Sequence, residues 1–156
     1  MRSGVFVIRR DGGASLKVTT AQIPVSPEIS VNAAAVAEYE RLGVDAVLFS
    51  SYGIPTHFQI GLQANAALNC VWIGAATPAQ TAHKGPAGVI GPDGQWINRC
   101  SASSEPGLAI AVLDRDDPAY EIPLQKARPW RSKARQGDIY REKMADDPRS
   151  RNRASY

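Results

Sequence analysis

Cysteine is scarce in this sequence: Cys70 and Cys100 are the only two among 156 residues. Two thiols are too few for a disulfide scaffold or a cysteine-rich zinc site, so a reducing compartment, the cytoplasm, is expected. Histidine is as scarce, with only His57 and His83. Neither has a carboxylate at a metal-ligand spacing, so no metal and no cofactor are expected. No apolar run approaches the roughly 18 residues that cross a bilayer, so no membrane contact is expected. The apolar run between Arg2 and Arg9 is too short for the core of a signal peptide. Internal repeats and low-complexity stretches are lacking too, and the glycines and prolines are scattered at turns.

What the chain does have is enough apolar content, 44%, to bury a core. Its net charge of +3 is unevenly spread. From Lys126 to Tyr156 there are 10 basic residues against 4 acidic ones, while the preceding body is slightly acidic. The stretch 144–156 has almost no apolar residue and reads as a disordered basic tail behind a single domain over 1–143.

Along the body, residues 4–9 and 16–22 read as strands separated by the Asp11-Gly12-Gly13 turn. Ser30 to Leu42 reads as a helix, with Ser30 or Asn32 as N-cap and Gly43 at its stop. Val31, Ala35 and Leu42 share its apolar face, and Glu38 and Arg41 lie on the wet side. The run 44–49, VDAVLF, is apolar enough to be covered on both faces. Residues 56–69 read as a second helix despite Gly61, and 70–76, CVWIGAA, as another apolar strand. Residues 87–90 and 95–99 form a hairpin across Gly91-Pro92-Asp93-Gly94. A last strand is expected over 107–113 and a short helix over 119–128. Helix and strand alternate through the middle of the chain, which predicts a layered α/β fold.

Few residues offer chemistry. Cys70, inside an apolar strand, reads as a buried structural thiol, since no sequence neighbour supplies the positive setting a nucleophile needs. Cys100 sits beside Arg99 at a strand end and reads as incidental. Ser50, Ser51 and Tyr52 follow the VDAVLF strand, and ligands in open α/β sheets gather at the carboxyl ends of strands. These three are the candidate substrate-binding residues. The basic stretch 126–135 around Trp130 could contact phosphate, with an aromatic ring to stack on. The competing reading packs Trp130 and Tyr140 on the body and leaves the arginines in water. Asp138 and Glu142 follow at once, so nucleic acid is not the expected partner.

Five stretches, taken together and in order between about Ala37 and Tyr140, resemble the carbon–nitrogen hydrolase family, the nitrilase superfamily. AEYERLGVDAVLFSSYG resembles the family's helix–strand unit after its nucleophile. LQANAALNCVWIGAAT resembles its Arg-Ala-x-Glu-Asn helix and strand, with Asn65 and Leu68 in place of the Arg and Glu while Asn69 matches. HKGPAGVIGPDGQWINRC resembles its Gly-x-Ser-x-Ile-Ile-x-Pro-x-Gly hairpin, with Ala87 for the Ser. GLAIAVLDRDD resembles the following strand, and KARPWRSKARQGDIY the closing Arg-x-x-x-Pro … Arg-x-x-x-Tyr signature.

The resemblance implies part of an αββα sandwich, and hydrolysis of non-peptide C–N bonds in amides, nitriles or carbamoyl compounds. In that chemistry a Cys attacks, a Glu is the general base and a Lys stabilises the oxyanion. None of the three is carried over here. If Ser26-Pro27-Glu28 matches the Pro-Glu after the nucleophile, the nucleophile position is Ala21. If LKVTTAQIPVSPEISVNAAAV matches the family's opening strand and helix instead, the catalytic stretch is passed over. Either way the resemblance implies no catalytic residue: a truncated or rearranged hydrolase, inactive by itself. The alternatives are a non-catalytic binding or oligomerisation module, and an enzyme completed by a second chain. A half sandwich leaves edges and apolar faces open, so a homo-oligomer or a complementing chain is expected. A small amide-type substrate is expected only in a completed form.

Overall fold

The computed structural model describes residues 18–20, 36–52 and 55–135. Five strands form one mixed sheet in the order β1-β2-β3-β4-β5: β1 Val18–Thr20, β2 Ala46–Ser50, β3 Trp72–Ala76, β4 Gly88–Ile90 and β5 Trp96–Arg99. β1, β2 and β3 run parallel, with Ala46 level with Val18 and Trp72. β4 runs antiparallel to β3 and β5 antiparallel to β4, with a register shift between Val89 and Ile90. The crossover between β2 and β3 is helix α2, Thr56–Asn69. A helix α1 runs over 36–41 ahead of β2. Beyond the hairpin come a 3-10 turn at Pro118–Tyr120, a π-helical segment at Glu121–Ala127 and helix α3, Arg128–Arg135. This is the layered α/β class that the alternating pattern predicts.

The sheet is buried on both faces in its middle, as a run such as AVLF or WIGAA requires. On one face Val36, Ala66, Val71, Ile73 and Ile90 pack together, with Phe49, Leu62 and Trp96 against them. On the other, Ala46, Trp72 and Leu124 form a second cluster with Leu113 and Tyr120. Register explains the division: Ala46 and Trp72 are partners across β2 and β3, whereas Ile73 is one residue on and points the other way. No described helix is long and apolar enough to cross a membrane.

Several expected features hold in detail. α2 has the predicted bounds. Gly43 ends α1 in the left-handed region, at φ 77°, and its N–H donates to the Glu40 carbonyl over 2.9 Å. Arg41 and Glu38 pair at 2.5 Å on the solvent side. The Gly91–Gly94 turn closes with Gly91 N–H donating to the Gln95 carbonyl at 2.8 Å. Gly94 must remain glycine: its φ is +83°, and a Cβ there would lie 2.9 Å from the Gln63 carbonyl oxygen.

Four expectations need correction. Cys70 is not in β3. It is the residue after α2, in the left-handed conformation at φ 52° and ψ 49° that stops the helix. Leu42 is exposed rather than on the buried face, because it falls in the turn after α1 has ended. Residues 107–113 form no strand ladder among the described residues. The expected helix over 119–128 is a 3-10 turn and a π segment that lead into α3, so the helical stretch continues to Arg135. Pro123 and Pro129 each remove a backbone N–H from the regular ladder, which accounts for the irregular start. The expected strand at 4–9, the N-caps Ser30 and Asn32, and the tail over 144–156 lie outside the described residues.

Gly61 offers a direct test of helix propensity. A Cβ built there meets no atom within 4 Å. Gly61→Ala is therefore expected to stabilise the protein by about 0.5–1 kcal/mol. The check is a higher urea midpoint at unchanged slope.

Candidate functional site

Ser50 and Ala76 are the last residues of the parallel strands β2 and β3, and they lie side by side. The chain leaves β2 there and is held in place by its backbone. Ser51 N–H donates to the Ala76 carbonyl at 3.0 Å. The Thr81 hydroxyl donates to the Tyr52 carbonyl at 2.8 Å. Thr81 belongs to a 3-10 turn, Ala79–Thr81, that follows β3. The Ser50 side chain and the Tyr52 ring are exposed, and Ser51 is half-buried. The three candidate residues thus form a hydroxyl-bearing rim at the carboxyl ends of two parallel strands. Near it, Thr56 donates to the Lys84 carbonyl at 3.3 Å and Thr77 to the Gly85 carbonyl at 3.0 Å. These bonds tie the loop before β4 to the same end of the sheet. His57 is exposed with its ring 4.4 Å from that of Phe58, and His83 is exposed as well. Among the described residues no group of three or more His, Cys, Asp or Glu side chains is placed to hold a metal ion.

The densest polar cluster lies at the other end of β2 and β3. Asp45, immediately before β2, is 1% exposed, and Glu40 is buried beside it. Arg128 reaches both: Nη1 donates to Asp45 Oδ1 at 2.8 Å, Nη2 to the Val44 carbonyl at 2.8 Å, and Nε lies 3.7 Å from Glu40. Arg115 stands 3.5 Å from the second Asp45 oxygen. Arg135 donates to Glu40 at 2.5 Å, to the Asn69 side-chain oxygen at 2.7 Å and to the Leu68 carbonyl at 2.9 Å. Arg131 donates to the Ala67 carbonyl and to Cys70 Sγ, the latter at 3.2 Å.

The physical reason lies in α2. Its last turn has no basic residue of its own, and its final carbonyls carry the negative end of the helix dipole. Arg131 and Arg135, from α3, donate to the carbonyls of Ala67 and Leu68 and so cap α2 from across the molecule. The packing reading of the basic stretch is thereby inverted for Trp130 and the arginines, and Tyr140 lies outside the described residues. Its arginines turn inward, and Trp130 is 59% exposed. The sequence did carry a signal for this: Arg128, Arg131 and Arg135 are spaced i, i+3, i+7, one face of a helix.

Cys70 sits under this cluster and is fully buried. Burial pushes its thiol above the ordinary range, and the charge of Arg131 and Arg128 offsets that only in part. A thiol pushed up in this way suits a packed side chain and not a nucleophile. A positive neighbour exists after all, but it comes from 61 residues away. Cys100 is half-buried and unpaired; its N–H closes the β4–β5 hairpin on the Ala87 carbonyl at 2.8 Å. On the helix-facing side, Gln59 donates to the Pro86 carbonyl at 2.8 Å and accepts from Arg99 at 2.8 Å. Gln63 donates to the Gly94 carbonyl at 2.9 Å. Two glutamines one turn apart thus lock α2 onto the hairpin.

No protein-family model matches the sequence, and no curated protein matches it. In structure the chain is similar to members of the nitrilase superfamily. Over 47% of this chain it is similar to Saccharomyces cerevisiae Nit3, of branch 10 of that superfamily, at 18% identity and a TM-score of 0.40. Over 64% it is similar to an amidase from Nesterenkonia sp., at 22% identity and a TM-score of 0.45. Over 88% it is similar to a cysteine-to-alanine mutant of the Nesterenkonia AN1 amidase, at 18% identity and a TM-score of 0.48. The matched part spans 30%, 38% and 47% of those three chains, less than half of each.

Proposed function

We propose that this chain is a carbon–nitrogen-hydrolase-type scaffold that does not turn over amides by itself and works as part of an assembly. The observation that carries the reading is the state of Cys70. It is the only thiol in the resembling helix–strand segment, and it caps a helix, lies fully buried under Arg131 and has its thiol pushed up by that burial. A thiol attacks as the thiolate and needs a base within reach. The buried carboxylates near it, Glu40 and Asp45, are already engaged by Arg128 and Arg135. Ser50, Ser51 and Tyr52 are the residues through which a small amide would be held, at the carboxyl ends of β2 and β3, once a second chain completes the site. Cys70 and Cys100 are both free thiols, which suits the reducing cytoplasm.

The test is ammonia release from short aliphatic amides, nitriles and carbamoyl amino acids by the purified full chain. No release above the protein-free rate is expected for the wild type, Cys70→Ser or Cys100→Ser. Release that scales with protein concentration and disappears in either variant overturns the reading and identifies the thiol that attacks.

A further inference from the structure

Residues 107–113, GLAIAVL, run back along β5 without joining it. Gly107 lies against Cys100, whose Sγ would be 3.3 Å from a Cβ there. The Asn98 amide donates to the Ile110 carbonyl at 2.9 Å. Exposure alternates along the segment as it does along an edge strand. Leu108, Ile110 and Val112 are 61%, 63% and 65% exposed, while Ala109, Ala111 and Leu113 are half-buried. Protected edges carry a lysine, a proline or an inward charge; this one carries none within the segment.

We propose that this edge is the docking surface for a second copy of the same chain, paired antiparallel about a two-fold axis at Ile110. The inference deepens the assembly reading above, on which it rests, by naming its surface and register. Three features fit. In an extended strand the N–H and C=O of one residue share an edge and those of its neighbours take the other. The Ile110 carbonyl is turned to β5, so Ala109, Ala111 and Leu113 present their backbone groups outward. A two-fold at Ile110 then sets Ala109 opposite Ala111 and Leu113 opposite Gly107 as hydrogen-bonded pairs. Second, Ile110 meets its own copy in the close non-hydrogen-bonded position, and Leu108 meets Val112. Both are cross-strand pairs of large aliphatic residues on one face. Third, the register is charge-complementary. It brings Glu105 of one copy, exposed in the monomer, near Arg115 of the other, each in a bend just beyond the extended segment. Arg115 holds Asp45 only at 3.5 Å and has donors to spare.

The experiment is sedimentation of the full chain, followed by mild oxidation of variants with one added cysteine in a Cys100→Ser background, where Cys70 stays buried. A dimer is expected. Ile110→Lys, at an exposed position, is expected to weaken it at least about tenfold with an unchanged circular dichroism spectrum. Ile110→Cys is expected to cross-link to itself, because a two-fold places that residue against its own copy at about 4.5 Å between Cα atoms. Leu108→Cys is expected to cross-link only when mixed with Val112→Cys. A folded monomer at every concentration overturns this inference and restricts the assembly reading to a different second chain. A dimer that tolerates Ile110→Lys, or in which Leu108→Cys links to itself as readily as Ile110→Cys, overturns this surface and leaves self-association standing.

Discussion

Arg128→Ala is expected to cost about 3–5 kcal/mol of stability, a large part of what a domain of this size has. The argument begins at Asp45, which is 1% exposed. A carboxylate taken out of water needs a charged partner with good geometry, and Arg128 is that partner at 2.8 Å. The same guanidinium also holds the Val44 carbonyl at 2.8 Å, one residue ahead of Asp45. Removing it leaves Arg115, at 3.5 Å and on a half-exposed side chain, as the carboxylate's remaining guanidinium among the described residues. It also frees the start of α3, so the capping of α2 by Arg131 and Arg135 loosens in the same step. Arg41→Ala is the natural control. Its pair with Glu38 is shorter still but lies in solvent, where water and salt screen it and little stability is expected to be lost. Double replacement sharpens the test. Asp45→Asn combined with Arg128→Met is expected to cost less than Arg128→Ala alone, because the buried carboxylate and its closest guanidinium are then removed together. Urea unfolding followed by circular dichroism measures all of these. A loss under about 1 kcal/mol for Arg128→Ala would show that the cluster is hydrated and not a structural keystone.

The same cluster shows where sequence reasoning stopped. The parallel strands and α2 were legible because their apolar runs have strand length and their punctuation is local. The hairpin was legible because Gly91-Pro92-Asp93-Gly94 admits few other conformations. The arginine cluster was not, because its partners are remote. Arg128 meets Asp45 across 83 residues, and Arg135 meets Glu40 across 95. Periodicity over Arg128, Arg131 and Arg135 marks a face but not its partner, and a basic helix face is usually a wet one. Cys70 was misplaced for a related reason. The run CVWIGAA is apolar throughout, so nothing in it marks where the helix stops and the strand begins. The structure places the boundary by conformation, with Cys70 in a backbone region that sequence habit reserves for glycine or asparagine. Residues 107–113 read as a strand because their composition is that of one. Their alternation of exposure survives in the structure, and only the ladder is missing. The rim at Ser50, Ser51 and Tyr52 was placed by topology alone, since parallel strands must end together.

Trp72→Ala is expected to cost about 3–5 kcal/mol, and Trp72→Phe to cost far less, within about 1 kcal/mol of the wild type. Trp72 is fully buried on the face opposite α2, packed with Ala46 and Leu124. Its ring meets the edge of Tyr120 at 5.8 Å and 85°. Alanine removes the whole ring and leaves a cavity between the sheet and the segment that leads into α3. Elements that carry Leu124 and Tyr120 then lose their seat, and the arginines downstream lose part of theirs. Phenylalanine keeps an aromatic ring for Tyr120 and gives up the outer part of the indole. In return it removes a liability, because Trp72 Nε1–H is buried without a hydrogen-bond partner among the described residues. A buried unsatisfied donor costs about 1–3 kcal/mol, comparable to the packing lost on shrinking the ring. The two terms oppose each other, so the Phe variant separates volume from hydrogen bonding. Urea midpoints and slopes by circular dichroism, with the slope unchanged, give the comparison. If Phe is as damaging as Ala, the indole N–H has a partner and the cavity argument fails. If Phe is neutral, relief of the buried indole donor offsets the packing lost, and the ring at position 72 is where α3 and its arginines are keyed to the strands.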